Sequence, residues 1–416
     1  MYKLYRSATY LMSPFIPLVL NKRRKRGKED ANRMQERYGH PSLPRPQARL
    51  VWIHAASVGE SNAAMPLIRK LLETYPALQL LITTGTVSSA ELLKKRLPER
   101  AFHQYVPVDT PKAVKRFVRY WHPDIAMFID SEFWPNLIME TAASGAAMGL
   151  VNARVSQASF LKWKKARSLS RAMLRKFRFC SAQSKNDAER LLALGMPQVT
   201  HTGNLKYDVP PPDCNMQELE RLKQLIGTRP VWVAASTHPG EEELVAEAHK
   251  TLKKKFPNVL TIIVPRHSVR GDEVMQKLSG YSVARRSQRQ QITEGTEIYL
   301  ADTMGELGLF YRLAQVAFIG GSLVDHGGQN PLEAAMLSCP TVMGQYMFNF
   351  ASIARHMEQA EACLRVTDHI MMGGAVGRLL ENEALRARIV QAAHAHVKSR
   401  AGTLKVIMDL VQPHIS

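Results

Sequence analysis

The sequence predicts an α/β protein of two doubly wound domains, each built on a parallel sheet. Its 416 residues are too many for one ordinary domain and suit two of about 150–200 residues each. From residue 50 onward, short apolar runs alternate with longer amphipathic runs, which is the pattern of strand–helix–strand units. A proline-rich break at residues 209–214 interrupts this pattern and separates the two domains.

The first domain contains five apolar runs that are predicted as buried strands, at residues 50–54, 78–83, 125–129, 149–152 and 179–183. Amphipathic helices are predicted between several of them, as at residues 62–74 and 88–97. The second domain repeats the pattern, with strands predicted at residues 231–235, 260–264, 297–301 and 316–319. Ligands of such folds bind at the carboxyl ends of the strands, so a cleft is expected between the ends of the two sheets.

The charge balance indicates an anionic partner. Lysine and arginine outnumber aspartate and glutamate by 56 to 36, which gives a net charge of +20. Nucleic acid, an acidic membrane surface and phosphorylated substrates would all be attracted by such a field. Nucleic acid is the least favoured, because aromatic residues are few and no zinc-finger or RNA-recognition signature is present. The four cysteines are scattered without a CxxC spacing, which argues against a disulfide framework or a structural zinc site.

Residues 1–45 are predicted to anchor the protein to a membrane surface. The apolar stretch at residues 8–20 is shorter than the roughly 20 residues that span a bilayer. A basic run at residues 22–28 follows it, and anionic lipid attracts such a run by about 1 kcal/mol per charge. The positive-inside tendency then places the bulk of the chain in the cytoplasm. The alternative is a solvated charge run after an ordinary helix.

Two predicted strand ends of the first domain carry carboxylates. Glu60 lies near the start of a helix, where it is either a first-turn acid favoured by the helix dipole or a general base. Asp130 and Glu132 follow the strand at 125–129, and their spacing directs both toward one face of an extended segment. Because a buried acid is costly unless it is paired or used, a functional site is favoured here.

The second domain has a glycine-containing segment that suits a phosphate. Gly327 and Gly328 let the backbone approach a ligand closely. Asn330 is predicted to cap the next helix and Pro331 to open it, so that free N–H groups face the ligand, while Glu333 could accept hydrogen bonds from a ribose diol. A capped helix after a glycine turn is the alternative.

The chain contains neither of the common nucleotide-binding loops. No GxGxxG follows a strand in the second half, and no GxxxxGK[ST] occurs anywhere, so dinucleotide and P-loop sites are unsupported. Arg266, after the strand at 260–264, suits bidentate phosphate binding instead.

Nine features in this order resemble those of the 3-deoxy-D-manno-octulosonic acid (Kdo) transferases of Gram-negative bacteria, over almost the whole chain. They are the apolar–basic N-terminus, SVGE at 57–60, WPN at 134–136, NAR at 152–154, GNLKYD at 203–208, ASTHPGEE at 235–242, PRH at 265–267, MGE at 304–306 and GGQNPLE at 327–333.

The resemblance implies a GT-B fold, in which two Rossmann-like domains face each other across a cleft. Residues 1–45 would be the membrane anchor, 46–208 the acceptor domain and 209–416 the donor domain. It also implies transfer of Kdo from CMP-Kdo to a hydroxyl of lipid IVA, a lipid A precursor, during lipopolysaccharide synthesis. The reaction would invert the anomeric centre, need no metal or other cofactor, add one or more Kdo units and occur at the cytoplasmic face of the inner membrane.

Individual roles follow from the same resemblance. Glu60 matches the family's proton acceptor, and Asp130 and Lys206 match positions that stabilise the transition state. The positions that match the CMP-binding segments are Pro265, Arg266, Met304, Gly305, Glu306, Asn330, Pro331, Leu332 and Glu333.

Two positions depart from the family pattern. Asp130 stands where the family usually has glutamate, so either the backbone lies closer or Glu132 takes over part of its task. Gln329 stands where histidine is frequent, and glutamine donates a hydrogen bond but does not titrate near neutral pH.

Three other functions remain as alternatives. They are a GT-B transferase that uses another sugar nucleotide, a non-catalytic membrane scaffold and a nucleic-acid-binding protein. The basic run at residues 162–167 either steers an anionic substrate or is a solvated helix face.

Overall fold

The computed structural model describes residues 1–415 and divides the chain into two compact units. The first unit comprises Met1–Val209 together with the C-terminal residues from Arg400 onward, and the second comprises Pro210–Ser399. The chain passes between the units at the predicted proline-rich break. The extent of the second domain differs from the expected 209–416, because the last helix returns to the first unit.

The first unit is built on a seven-stranded sheet in which all strands are parallel. Its strands are β1 (Leu50–His54), β2 (Gln79–Thr84), β3 (Ala101–Tyr105), β4 (Ile125–Ile129), β5 (Ala147–Ala153), β6 (Phe179–Ala182) and β7 (Thr200–His201), in the order β3-β2-β1-β4-β5-β6-β7. The five predicted strands are present, and β3 and β7 are additional. Their signal is weak because β3 carries polar His103 and Gln104 inside, and β7 has two residues.

Ten helices precede the second unit: α1 (Tyr2–Met12), α2 (Ile16–Lys25), α3 (Met34–Arg37), α4 (Val58–Thr74), α5 (Val87–Arg96), α6 (Pro111–Trp121), α7 (Pro135–Ala143), α8 (Gln157–Lys165), α9 (Arg167–Leu174) and α10 (Lys185–Leu194). A short 3-10 helix follows at Leu205–Asp208. Several helices begin where a side-chain oxygen accepts a backbone N–H, as Ser57 does for α4 and Ser184 for α10.

The second unit has its own seven-stranded parallel sheet, in the order β10-β11-β9-β8-β12-β13-β14. Its strands are β8 (Val231–Thr237), β9 (Leu260–Pro265), β10 (Val283–Arg285), β11 (Ile298–Leu300), β12 (Val316–Ile319), β13 (Thr341–Met343) and β14 (Cys363–Arg365). Its helices are α11 (Met216–Ile226), α12 (Glu241–Lys253), α13 (Gly271–Lys277), α14 (Leu307–Leu313), α15 (Leu332–Met336), α16 (Ala351–Gln359), α17 (His369–Glu381) and α18 (Glu383–Arg400).

The last helix, α19 (Thr403–Ile415), packs in the core of the first unit. Its start is fixed by Asp208, whose two carboxylate oxygens accept the N–H groups of Gly402 and Leu404 at 2.6 and 2.7 Å. The helix therefore adjoins the 3-10 helix that carries Lys206.

In each sheet the strand order reverses beside the first strand of that unit. β1 lies between β2 and β4, and β8 lies between β9 and β12. The crevice outside the carboxyl ends at such a reversal is where doubly wound folds bind ligands. The loops after β1 and β4, and those after β8 and β12, are therefore the expected sites of the two units.

The N-terminal residues are part of the first unit and do not form a separate segment. Tyr2 and Tyr5 of α1 pack against its core, and the Tyr5 hydroxyl donates to Asp109 at 2.9 Å. Further on, Glu36 is buried, pairs with Arg33 and accepts the backbone N–H of Tyr105 in β3. Among residues 1–415, no helix has the length and apolar character needed to cross a bilayer.

Candidate active site

Glu60 occupies the third position of α4, immediately beyond the end of β1. One carboxylate oxygen accepts the N–H of Ala56 at 2.8 Å and the other accepts the Ser57 hydroxyl at 2.7 Å, while Ser57 caps the helix. The pKa of Glu60 is raised to about 7, because burial and the negative charges of Asp130 and Glu132 raise it by more than the two hydrogen bonds lower it. A carboxyl with such a pKa can accept a proton at neutral pH.

Asp130 follows β4, the neighbour of β1 at the strand reversal. Its backbone adopts φ = +59°, a left-handed conformation that aspartate tolerates better than most residues. Its Oδ1 accepts the side-chain amides of Asn152 and Gln183, both at 2.9 Å. Burial raises the pKa of Asp130, whereas Lys206, the two amides and Arg154 lower it.

Lys206 completes this group from the 3-10 helix Leu205–Asp208. Burial lowers the pKa of Lys206, Asp130 and Glu60 raise it, and Arg154 lowers it. The pKa of each of the three predicted catalytic residues is therefore shifted by the charge of at least one of the other two, although the three lie far apart in the sequence. The structure brings Glu60, Asp130 and Lys206 together at the strand reversal of the first unit.

Glu132 has a different partner from Asp130. Its carboxylate accepts the indole N–H of Trp134 at 2.6 Å and lies 3.6 Å from Nε2 of the fully buried His54. Burial raises the pKa of Glu132, but the contacts with His54 and Trp134 outweigh this and lower it. Asp130, which stands at the family's glutamate position, is the carboxylate whose charge acts most strongly on Lys206.

The strand reversal of the second unit gathers a histidine cluster around the predicted Arg266. His238 follows β8, and its ring lies 3.8 Å from that of His326 between centroids. Nε2 of His238 lies 3.1 Å from the amide nitrogen of Gln329, which must donate to it. Burial, together with the nearby His326, His267 and Arg266, lowers the pKa of His238 to about 3, so its imidazole is neutral at pH 7.

Glu241 holds the loop that follows β12. Its fully buried carboxylate accepts four backbone N–H groups, those of His238, Gly321, Ser322 and Leu323, at 2.6–2.9 Å. At Gly320 a Cβ atom would lie 2.4 Å from the carbonyl oxygen of Ser236, so only glycine allows this approach. The backbone N–H groups at residues 321–323, in the turn after β12, thus donate to a carboxylate of the protein itself.

In the segment around Asn330, the helix begins one residue later than predicted. The helix α15 begins at Leu332 with Pro331 in the N-cap position, so the prediction of Pro331 as the first helical residue was wrong by one position. The side-chain oxygen of Asn330 accepts the N–H of Leu332 at 3.2 Å, which is a capping hydrogen bond, and its amide donates to Glu333 at 3.2 Å. With five residues, α15 presents little helix dipole to a phosphate.

The other donor candidates lie at strand ends of the same sheet. Pro265 is the last residue of β9, and Met304 is 63% exposed beside Gly305. The carboxylate of Glu306 accepts the Thr303 hydroxyl and pairs with Arg286. Within residues 1–415, no group of three histidine, cysteine or acidic side chains is placed to hold a metal ion.

Sequence reasoning missed His54, Gln183, His238 and Glu241 as site residues. Each lies at or directly after the carboxyl end of a strand, or opens the helix that follows it. A search of strand ends for polar side chains would have found the first three; Glu241 required the contacts themselves.

Comparison with known proteins gives consistent results. The family model described as 3-deoxy-D-manno-octulosonic-acid transferase (kdotransferase) matches residues 32–209. The chain is 36% identical to the Haemophilus influenzae 3-deoxy-D-manno-octulosonic acid transferase over 92% of this chain and 91% of that protein. It is 35% identical to the Rickettsia bellii 3-deoxy-D-manno-octulosonic acid transferase over 88% of each.

A solved glycosyltransferase from Rickettsia africae shares the fold, with a TM-score of 0.60. Its sequence is 11% identical, and the match covers 89% of this chain and all of that one.

Proposed function

The chain belongs to the 3-deoxy-D-manno-octulosonic acid transferase family and is a Kdo glycosyltransferase, and we propose that it moves Kdo from CMP-Kdo to a hydroxyl of lipid IVA with Glu60 as the general base. The observation that carries this role is the pKa of Glu60, which is raised to about 7 beside Asp130. A base with that pKa is ionised in part at neutral pH and still gains from taking a proton.

The proposed step is a single displacement. Glu60 takes the proton from the acceptor hydroxyl as the hydroxyl oxygen bonds to the anomeric carbon of Kdo. The bond from that carbon to the phosphate oxygen breaks, and its electron pair leaves with CMP. Attack from the side opposite the leaving group inverts the anomeric centre.

Asp130 and Lys206 are proposed to stabilise charge in the transition state. The anomeric carbon becomes positive as the leaving group departs, which a fixed carboxylate favours, and the phosphate oxygen that leaves with CMP becomes more negative, which an ammonium favours. Their burial supports this role, because charges act more strongly where water is scarce.

The second unit is proposed to hold CMP-Kdo. Arg266 suits the single phosphate, and the neutral imidazole of His238 adds a polar group that carries no charge. Pro265, residues 304–306 and residues 330–333 are the further CMP contacts that the family resemblance implies. No metal ion is invoked, because one phosphate leaves and an arginine can neutralise it.

The N-terminal helices are proposed to dock on the cytoplasmic face of the inner membrane. The large apolar side chains that face away from the first unit are between 53% and 71% exposed, at Leu4, Leu11, Phe15, Leu18 and Val19. Exposed basic side chains follow directly, at Lys22, Arg24, Lys25 and Arg26. An apolar face next to a basic run fits an anionic membrane, where a lipid acceptor is found.

The experiment measures transfer to a tetraacylated lipid A precursor, with CMP-Kdo generated in a preceding step and EDTA added only to the transfer step of one arm. Mass spectrometry should show stepwise Kdo additions for the wild type and for Glu91→Gln, a control on the exposed face of α5. Glu60→Gln should give none while it still binds CMP.

The remaining outcomes separate the parts of the proposal. Transfer by Glu60→Gln would disprove the base, and loss of transfer in EDTA would disprove metal independence. A folded wild type that binds CMP but adds no Kdo would point to another acceptor or another sugar nucleotide.

A further inference from the structure

We propose that Gln183 is a positioning residue that holds Asp130 and Lys206 in one fixed arrangement, an inference that rests on the proposed function. Gln183 directly follows β6, two strands from the end of β4. Its amide nitrogen donates to Oδ1 of Asp130 at 2.9 Å and to the carbonyl oxygen of Asn152 at 2.8 Å. Its amide oxygen accepts the side-chain amide of Asn204 at 3.0 Å.

The orientation of this amide is determined by its neighbours. A backbone carbonyl can only accept a hydrogen bond, so the nitrogen of Gln183 must face Asn152. The oxygen is then directed at the amide nitrogen of Asn204. Each polar atom of the Gln183 side chain therefore has a partner of the right type, and no alternative rotation keeps all three hydrogen bonds.

The same hydrogen bonds lead to the backbone of Lys206. The side-chain oxygen of Asn204 accepts the N–H of Lys206 at 3.0 Å. In parallel, Asn152 donates to Oδ1 of Asp130 and accepts the N–H of Leu205 at 2.8 Å. Two paths of side-chain amides thus connect the carboxylate of Asp130 to the backbone at residues 205–206.

The two side-chain amides hold one particular oxygen of Asp130. Asn152 and Gln183 both donate to Oδ1, each at 2.9 Å. Asp130 and Asn152 both have positive φ, at +59° and +56°, and the amide contacts help to keep these less common conformations.

Gln183 hydrogen-bonds to Asp130 directly but is connected to Lys206 only through Asn204. Gln183 therefore acts by holding these two residues in position. Catalytic groups need to be held within about 0.5 Å, and misplacement by about 1 Å can cost about 100-fold in rate. We expect loss of this amide to lower kcat and to leave binding of CMP-Kdo, which is assigned to the second unit, unchanged.

The experiment compares Gln183→Met, which keeps the length of the side chain without its polar atoms, with Asn204→Ser and with the double variant. Serine keeps an oxygen that can cap the 3-10 helix but is too short to reach Gln183. The matched control is Gln198→Met, at an exposed glutamine of the same unit. Each single variant should lower kcat by about 10- to 100-fold, with KM for CMP-Kdo within twofold. The double variant should lose little more than either single variant, because both act on one path.

A second measurement does not depend on activity. Acetylation of Lys206 by a small reagent, followed by peptide mass spectrometry, should become at least threefold faster in Gln183→Met and stay unchanged in Gln198→Met. The inference is wrong if kcat of Gln183→Met stays within twofold of the wild type, if the effects of the two variants multiply, or if Lys206 labels at the wild-type rate. A wild type that labels as expected but transfers no Kdo would disprove the proposed function alone.

Discussion

Glu60 and Asp130 follow neighbouring strands, and the negative charge of Asp130 is one of the reasons why the pKa of Glu60 is raised to about 7. Burial is the larger reason. The base and the charge-stabilising carboxylate are therefore coupled, and a change at one should be detected at the other.

The pH dependence of transfer should report this coupling. In the wild type, kcat/KM should fall below about pH 7 as Glu60 becomes protonated. Asp130→Asn removes the negative charge near Glu60, so the fall of kcat/KM on the acid side (the acid limb) should move to lower pH. In the same variant, kcat should fall at least tenfold. Glu132→Gln should move the limb less, because its charge contributes less to the pKa of Glu60. Steady-state rates across pH 5–9 test this, and an unmoved limb in Asp130→Asn would contradict the coupling.

Ionised Glu60 should also cost stability. Its folded pKa of about 7 lies above its ordinary value of 4.5, so the folded state binds the extra proton between these pH values and stability falls as pH rises through them. Glu60→Gln removes this cost. Relative to the wild type, the variant should gain about 1–3 kcal/mol on going from pH 5 to pH 8, after allowance for partial solvent access. Urea unfolding at the two pH values measures the difference, and an equal effect at both would exclude the assignment.

Glu241→Gln should destabilise the turn that follows β12, which contains Gly320 and Gly321. The carboxylate accepts four backbone N–H groups, and an amide offers a single oxygen and adds donors that face donors. We expect a loss of about 2–4 kcal/mol in unfolding free energy and weaker CMP binding. Glu247→Gln, at an exposed position on the same helix, is the control. Thermal unfolding measures the loss of stability, and CMP titration measures the loss of affinity. The prediction fails if the two variants behave alike.

The exposed apolar face of α1 and α2 can be tested without disturbing its docked side. Leu11→Glu combined with Leu18→Glu should weaken flotation with anionic vesicles by at least tenfold, because both side chains face away from the first unit. Tyr5→Phe, on the docked side, should float like the wild type. Removing residues 1–28 should likewise weaken membrane association and leave CMP affinity unchanged. Undiminished flotation of the double variant would rule out this face as the anchor.

The sequence by itself determined the fold class, the break between the units and the residues worth testing. Runs such as β4 and β12 were located to the residue because they are apolar throughout and bounded by polar or turn-forming residues. Strand ends pointed to Glu60 and Asp130, and Lys206 was located by the resemblance to the Kdo transferases. Strands of two or three residues, such as β7, β13 and β14, carry too little periodicity to be recognised.

Only the tertiary structure decided how these residues act. The pKa of Glu60 depends on burial and on charges 70 or more residues away in sequence, at Asp130 and Glu132. The partners of Gln183 come from three other strand ends, and the return of α19 to the first unit is fixed by Asp208. Such effects arise from distances between side chains, which local pattern does not encode. Sequence motifs therefore supplied the candidates, and three-dimensional proximity set their charge, orientation and mutual dependence.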